Sequence, residues 1–127
     1  MSFVLKQSAS YTWPVPLLIP TNGGRREKHS FDAEFKRLPQ SRINEIAKLA
    51  RATELGRASE DDMLDDKAAA REILIGWSGI TDDSGKDVPF SEAALDQLLE
   101  IPTIAGQIIK AWYGSMEVAK KPTSLGR

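Results

Sequence analysis

The sequence holds a single histidine, His29, the residue type best suited to acid–base work at physiological pH, so a search for such chemistry begins there. It has no cysteine to activate and no second histidine with which to share a metal, and it alternates in phase with Phe31, Ala33 and Phe35. That spacing makes it a packed or edge-lying strand residue. The carboxylates Glu60, Asp61, Asp62, Asp65 and Asp66 form a run that suits the positive end of a helix dipole and needs no cation to explain it. Ile80 to Ser91 carries Gly85 where a calcium loop requires a glycine, but Ile80 and Ser91 stand at its first and twelfth positions and neither supplies a carboxylate. Gly23-Gly24-Arg25-Arg26 lacks the spacing of a phosphate-binding loop and lies between two strand patterns, as a hairpin tip does. No catalytic, metal-ligating or cofactor-binding residue is therefore predicted, and an enzyme is the least expected reading.

Apolar side chains remain, and their chemistry is association. Trp77 and Trp112 fall on helical stripes and are expected in the core. Tyr113 lies about 100° round its helix from the Ile104, Ile108, Trp112 stripe, beside Ile109, which gives that helix a second apolar edge. Ile109 and Tyr113 are accordingly the first candidates for a partner surface, and the strand face at Trp13 and Leu18 is the next.

These residues must be positioned by two kinds of element. Tyr11, Trp13, Val15, Leu17 and Ile19 alternate with positions that include Pro14, Pro16 and Pro20, the pattern of a half-buried strand. Proline lacks the N–H that a central strand donates, so this strand belongs at a sheet edge. A second alternation runs through His29, Phe31, Ala33 and Phe35. Matching the two apolar faces pairs odd residues with odd, puts Val15 near Phe31 and Trp13 near Ala33, and requires a three- or five-residue loop centred on Gly23. Phe3-Val4-Leu5 would add a third strand.

From Pro39 the apolar period becomes helical, through Ile43, Ile46, Ala47, Leu49 and Ala50, until Leu55-Gly56 breaks it. A second helix is predicted from an N-cap at Ser59, with Met63, Ala70, Leu74 and Trp77 on one stripe, ending between Gly76 and Gly79. Asp82-Asp83-Ser84-Gly85 reads as a turn. A third helix starts after Ser91, stapled by Phe90 and Leu95 and buried along Leu95, Leu98 and Leu99. The fourth follows Pro102 and closes before Lys120-Lys121-Pro122. The fold class is α+β, with an N-terminal antiparallel hairpin or three-stranded meander followed by about four helices. One domain is expected over 1–127, β-rich to residue 38, helical over 39–120, with a flexible tail at 121–127.

A chain of 127 residues can bury a core without disulfides, and with no cysteine it has none. Seventeen basic against eighteen acidic residues leave a net charge of −1, which offers no overall field for phosphate backbones. No apolar run approaches the ~18 residues of a membrane helix, and there is no signal-peptide pattern. Nucleic acid and membrane are excluded as expected partners, and the expected location is cytoplasmic. A transcription regulator would need a helix pair around Trp77 to Leu95, but Thr81 to Pro89 is long for that turn and rich in aspartate.

Two stretches resemble the tail assembly chaperones of long-tailed bacteriophages. The first is His29-Ser30-Phe31-Asp32-Ala33-Glu34-Phe35-Lys36-Arg37-Leu38 leading into Gln40 to Ile46. The second runs Ile73-Leu74-Ile75-Gly76-Trp77-Ser78-Gly79-Ile80, then Asp82-Asp83-Ser84-Gly85, then Val88-Pro89-Phe90-Ser91, with Leu98-Leu99-Glu100-Ile101-Pro102 beyond it. The order of these motifs across residues 29–116 carries the likeness, and the proline-rich strand from Trp13 to Pro20 falls outside it. The resemblance implies a non-catalytic α+β protein without cofactors, working in the host cytoplasm. Such a protein binds the long helical tape measure protein and keeps it soluble, with the tail tube protein as a second partner. Apart from the resemblance, the exposed edge of the proline-bearing strand and the apolar surface at Ile109 and Tyr113 lead us to expect weak self-association. A longer frameshifted form is common in such proteins, and Lys120-Lys121 permits a slippery codon run. The alternative within the same setting is a structural or completion protein retained in the virion.

Overall fold

The structure, a computed structural model, describes residues 2–54 and 66–117. Strand β1 (Ser10–Pro20) and strand β2 (Arg26–Lys36) form the predicted hairpin. The pairing is odd with odd, Val15 opposite Phe31 and Trp13 opposite Ala33, across a five-residue connection from Thr21 to Arg25. Gly23 and Gly24 adopt φ of 77° and 76°, the left-handed region that glycine enters without strain, and so close the turn.

Helix α1 (Gln40–Glu54) follows, then α2 (Asp66–Ile73), strand β3 (Leu74–Ser78), α3 (Glu92–Glu100) and α4 (Ile104–Met116). The sheet order is β1-β2-β3, all antiparallel, which puts the proline-bearing strand at an edge as expected. The odd face of the hairpin carries Val15, Phe31, Ala33 and Phe35 into the core, where they meet Ile73 of α2 and Ile104, Ile108 and Trp112 of α4. On the opposite face Lys28, Ser30, Asp32 and Lys36 are exposed, so one side of the sheet meets solvent.

Two expectations are corrected here. The third strand is not Phe3-Val4-Leu5, whose side chains are all exposed, but Leu74–Ser78, taken above for the end of a helix. Leu74 is buried as expected, but Trp77, expected in the core, is only half-buried at its margin, and both sit on β3, where Trp77 lies opposite Ala33. The register shifts between Glu34 and Phe35, and Ile75, without a partner in the pairing, is 41% exposed. A Cβ at Gly76 would lie 2.6 Å from Glu34 Oε1, so a larger residue there would have to displace the Glu34 carboxylate. The Trp77 ring meets Phe90 and Phe31 edge-on, and its Nε1–H donates to the Val88 carbonyl at 2.7 Å. Phe90 is thus tied to the sheet as well as to the start of α3.

Ser91 caps α3 as predicted, its Oγ accepting from Ala94 N at 3.1 Å. Asp82 organises the turn, its Oδ1 accepting from the backbone N–H of Ser84 and of Lys86. The cap at Ser59, the acidic run 60–62, Met63 and the segment 120–127 lie outside the described residues.

Helices α1 and α2 are joined by a bidentate pair: Arg42 Nε and Nη2 donate to Glu72 Oε2 and Oε1 at 2.8 and 2.6 Å. These bonds hold the Glu72 carboxyl below its ordinary range, against an opposing effect of burial. A carboxyl whose folded pKa is depressed stabilises above its unfolded pKa, about 4.3, and loses that contribution as pH falls through the folded value. Glu72→Gln should therefore be less stable than the parent at pH 6, and the gap should close below about pH 4. Denaturant midpoints at several pH values measure this, and a gap independent of pH would refute it.

Candidate partner-binding site

Of the four candidate residues, the structure separates two from the other two. Ile109 is 9% exposed and part of the core, and Tyr113 is half-buried against Trp112, with ring centroids 5.0 Å apart. Burial raises the Tyr113 pKa, with a smaller contribution from the Asp66 carboxylate. The edge of α4 proposed as free is thus turned inward, because α2 packs against α4 there. Ile109 is corrected from surface to core.

Trp13 and Leu18 are 38% and 45% exposed, and they lie together along a groove between β1 and α4. The strand side is Trp13, Pro16, Leu18 and Pro20, and the helix side is Thr103, Gln107, Lys110, Ala111 and Gly114, enclosing about 740 Å³. The groove exists because Ala111 and Gly114, three residues apart on one face of α4, leave the space that larger side chains would fill. A Cβ added at Gly114 would meet nothing within 4 Å.

Both ends of this groove are tied. At one end the Gln107 side chain binds the backbone of Leu18 twice, Oε1 accepting from Leu18 N at 2.7 Å and Nε2 donating to Leu18 O at 3.0 Å. The second hydrogen on Nε2 goes to Thr103 Oγ1, 3.0 Å away, so both N–H groups of the amide are used. Thr103 reaches it from a left-handed backbone, φ 71°, uncommon for a β-branched residue. Just past the other end, next to Gly114, Ser115 Oγ donates to the Trp112 carbonyl at 2.6 Å, and so accepts from Tyr11 Oη at 2.7 Å.

The Gln107 contact also defines which way the edge of β1 faces. Leu18 directs its N–H and C=O away from β2, and by strand alternation the other even residues do the same. Pro14, Pro16 and Pro20 therefore stand where an N–H would point outward, and none of them removes a bond from the β1–β2 ladder. From residue 14 to residue 20 the only outward N–H is that of Leu18, and Gln107 occupies it. This stretch cannot add another strand, which closes the edge-to-edge route expected for self-association.

Beyond Trp13 the surface continues into a second depression of about 600 Å³, bordered by Tyr11, Lys36, Arg37, Leu38, Ile43 and Met116 among others. The Arg37 guanidinium lies over the Tyr11 ring, 4.8 Å from its centroid. His29, exposed on β2, contacts Glu27 Oε1 at 3.2 Å and faces neither depression. Among the described residues no group of three or more His, Asp or Glu could hold a metal, and no helix is long and apolar enough to cross a membrane.

Fold and site define a small α+β protein with an apolar groove between a sealed edge strand and its last described helix. The family model described as YdaY prophage protein matches residues 30–120, well over half of the chain. The chain belongs to that family and is of phage descent. A search of curated proteins and a search of solved structures return no match. The family match starts within β2, so α4 lies inside it while Trp13 and Leu18 on β1 lie before it. Gln107 was not singled out from sequence. One signal was available: in the run Pro14, Pro16, Leu18, Pro20, position 18 alone keeps an N–H, and a buried edge would give that N–H a partner.

Proposed function

We propose that this protein is a tail assembly chaperone that binds the phage tape measure protein in the host cytoplasm and keeps it soluble during tail morphogenesis, without catalysis. One observation carries the reading: an apolar groove lies beside a strand edge with no free N–H from residue 14 to residue 20, so a guest that adds as a strand cannot dock there. An amphipathic helix can, laying its apolar face between β1 and α4. Tape measure proteins are long and helical, and phage descent together with the motif order over residues 29–116 points to tail assembly. The tail tube protein is the second partner in this reading, meeting the complex as the tube forms around its cargo.

Co-expression tests it. With the chaperone present, the tape measure protein of the same prophage should move from aggregate to a soluble complex, and the complex should survive moderate salt, because apolar burial is little screened. The chaperone should be missing from purified virions. Failure to obtain a soluble complex, together with the protein's presence in particles, would favour the virion-component alternative.

A further inference from the structure

We infer that the groove selects helical segments whose apolar stripe is flanked by acidic residues. The inference rests on the chaperone reading for the occupant's helical form and adds its charge. Arg26 and Lys110 are both exposed and line the groove, and no carboxylate lines it. Neither cation forms a salt bridge among the described residues, whereas Arg42, Lys67 and Arg71 are all paired. Beyond Trp13 the second depression repeats the pattern, with Lys36 and Arg37 at its border and again no carboxylate. The whole chain carries more acid than base, eighteen residues against seventeen, so this bordering is local and not a reflection of composition.

A concave apolar floor with cations around it distinguishes among anionic partners. A bilayer surface is broad and cannot follow the floor between β1 and α4, and a phosphate backbone would satisfy the cations while leaving Leu18, Pro16 and Ala111 uncovered. A helix with a leucine stripe bordered by glutamates meets both requirements, burying its stripe on the floor and pairing its flanks with Arg26 and Lys110.

Two synthetic helical peptides provide the test. They share one leucine stripe at three- and four-residue spacing, and one carries glutamate and the other lysine beside it. Titrated calorimetrically into the full-length protein at low salt, the glutamate peptide should bind about ten-fold tighter or better. Arg26→Glu with Lys110→Glu should invert the preference, and the milder Arg26→Gln with Lys110→Gln should abolish it. Equal affinities, a preference for lysine, no binding of either peptide, or a preference that survives charge reversal would each overturn the inference. So would tighter binding to phosphatidylglycerol vesicles or to a DNA duplex than to the glutamate peptide. The two readings fail separately: a soluble tape measure complex unaffected by the charge reversals sinks only the charge selection. Loss of that complex in the unaltered protein sinks the chaperone reading and leaves the peptide preference to stand by itself.

Discussion

Trp112→Ala should cost about 3–5 kcal/mol of folding stability, the range for removing a large buried aromatic. Trp112 is 1% exposed, and it packs in one cluster with Phe35, Ile108 and Ile73, where sheet, α2 and α4 meet. Its removal would also open the floor of the depression that Tyr11 and Met116 border. Domains of this size are stable by roughly 5–15 kcal/mol, so the loss is a large share of the total and should lower the thermal midpoint by many degrees. A variant melting with the parent would mean that α4 is phased wrongly against the sheet.

The second large effect concerns binding with the fold left intact. Trp13 and Leu18 are 38% and 45% exposed and lie outside the core cluster, so replacing both with serine should lower stability by about 1–3 kcal/mol and leave the fold in place. The Leu18 main-chain bonds to Gln107 do not depend on its side chain. Affinity for the tape measure protein should nonetheless fall about a hundred-fold, roughly 3 kcal/mol, because tryptophan in a concave apolar site dominates interfaces of this kind. Pull-down from co-expressing cells, with circular dichroism as the control for folding, reads both quantities. Undiminished binding would move the interface away from this groove. The pair first favoured on sequence grounds, Ile109 and Tyr113, is a poor test, since polar replacement of Ile109 would place an unsatisfied group in the core.

The contrast between the two pairs shows where sequence reasoning held and where it ended. The hairpin register could be read in full because side chains alternate with a period of two and only odd-with-odd pairing buries both faces. The stripes of α3 and α4 were readable for the corresponding reason at the helical period. Leu74–Ser78 was misread because Leu74 and Trp77, three apart, suit a helix as well as a strand. Ile73, Ile75 and Gly76 were the overlooked counter-signal, two β-branched residues and a glycine being poor helix formers. The second apolar edge of α4 was real, but what it faced was decided by α2, and an eight-residue helix docking on another leaves no local mark in the sequence of its partner. The groove escaped for the same reason: Gln107 becomes a ligand for a strand edge only once residues 89 positions apart are brought together.

That contact has a thermodynamic corollary. Because α4 is fastened to β1 by Gln107 at one end and by Tyr11 and Ser115 at the other, the walls of the groove cannot part without giving up those hydrogen bonds, and the host has little conformational freedom left to lose when a guest arrives. The ordering entropy of complex formation then falls on the guest helix alone. Segments already helical before contact should be held longer than segments that must fold on arrival, so the residence time of each stretch of a long guest would follow its own helix propensity.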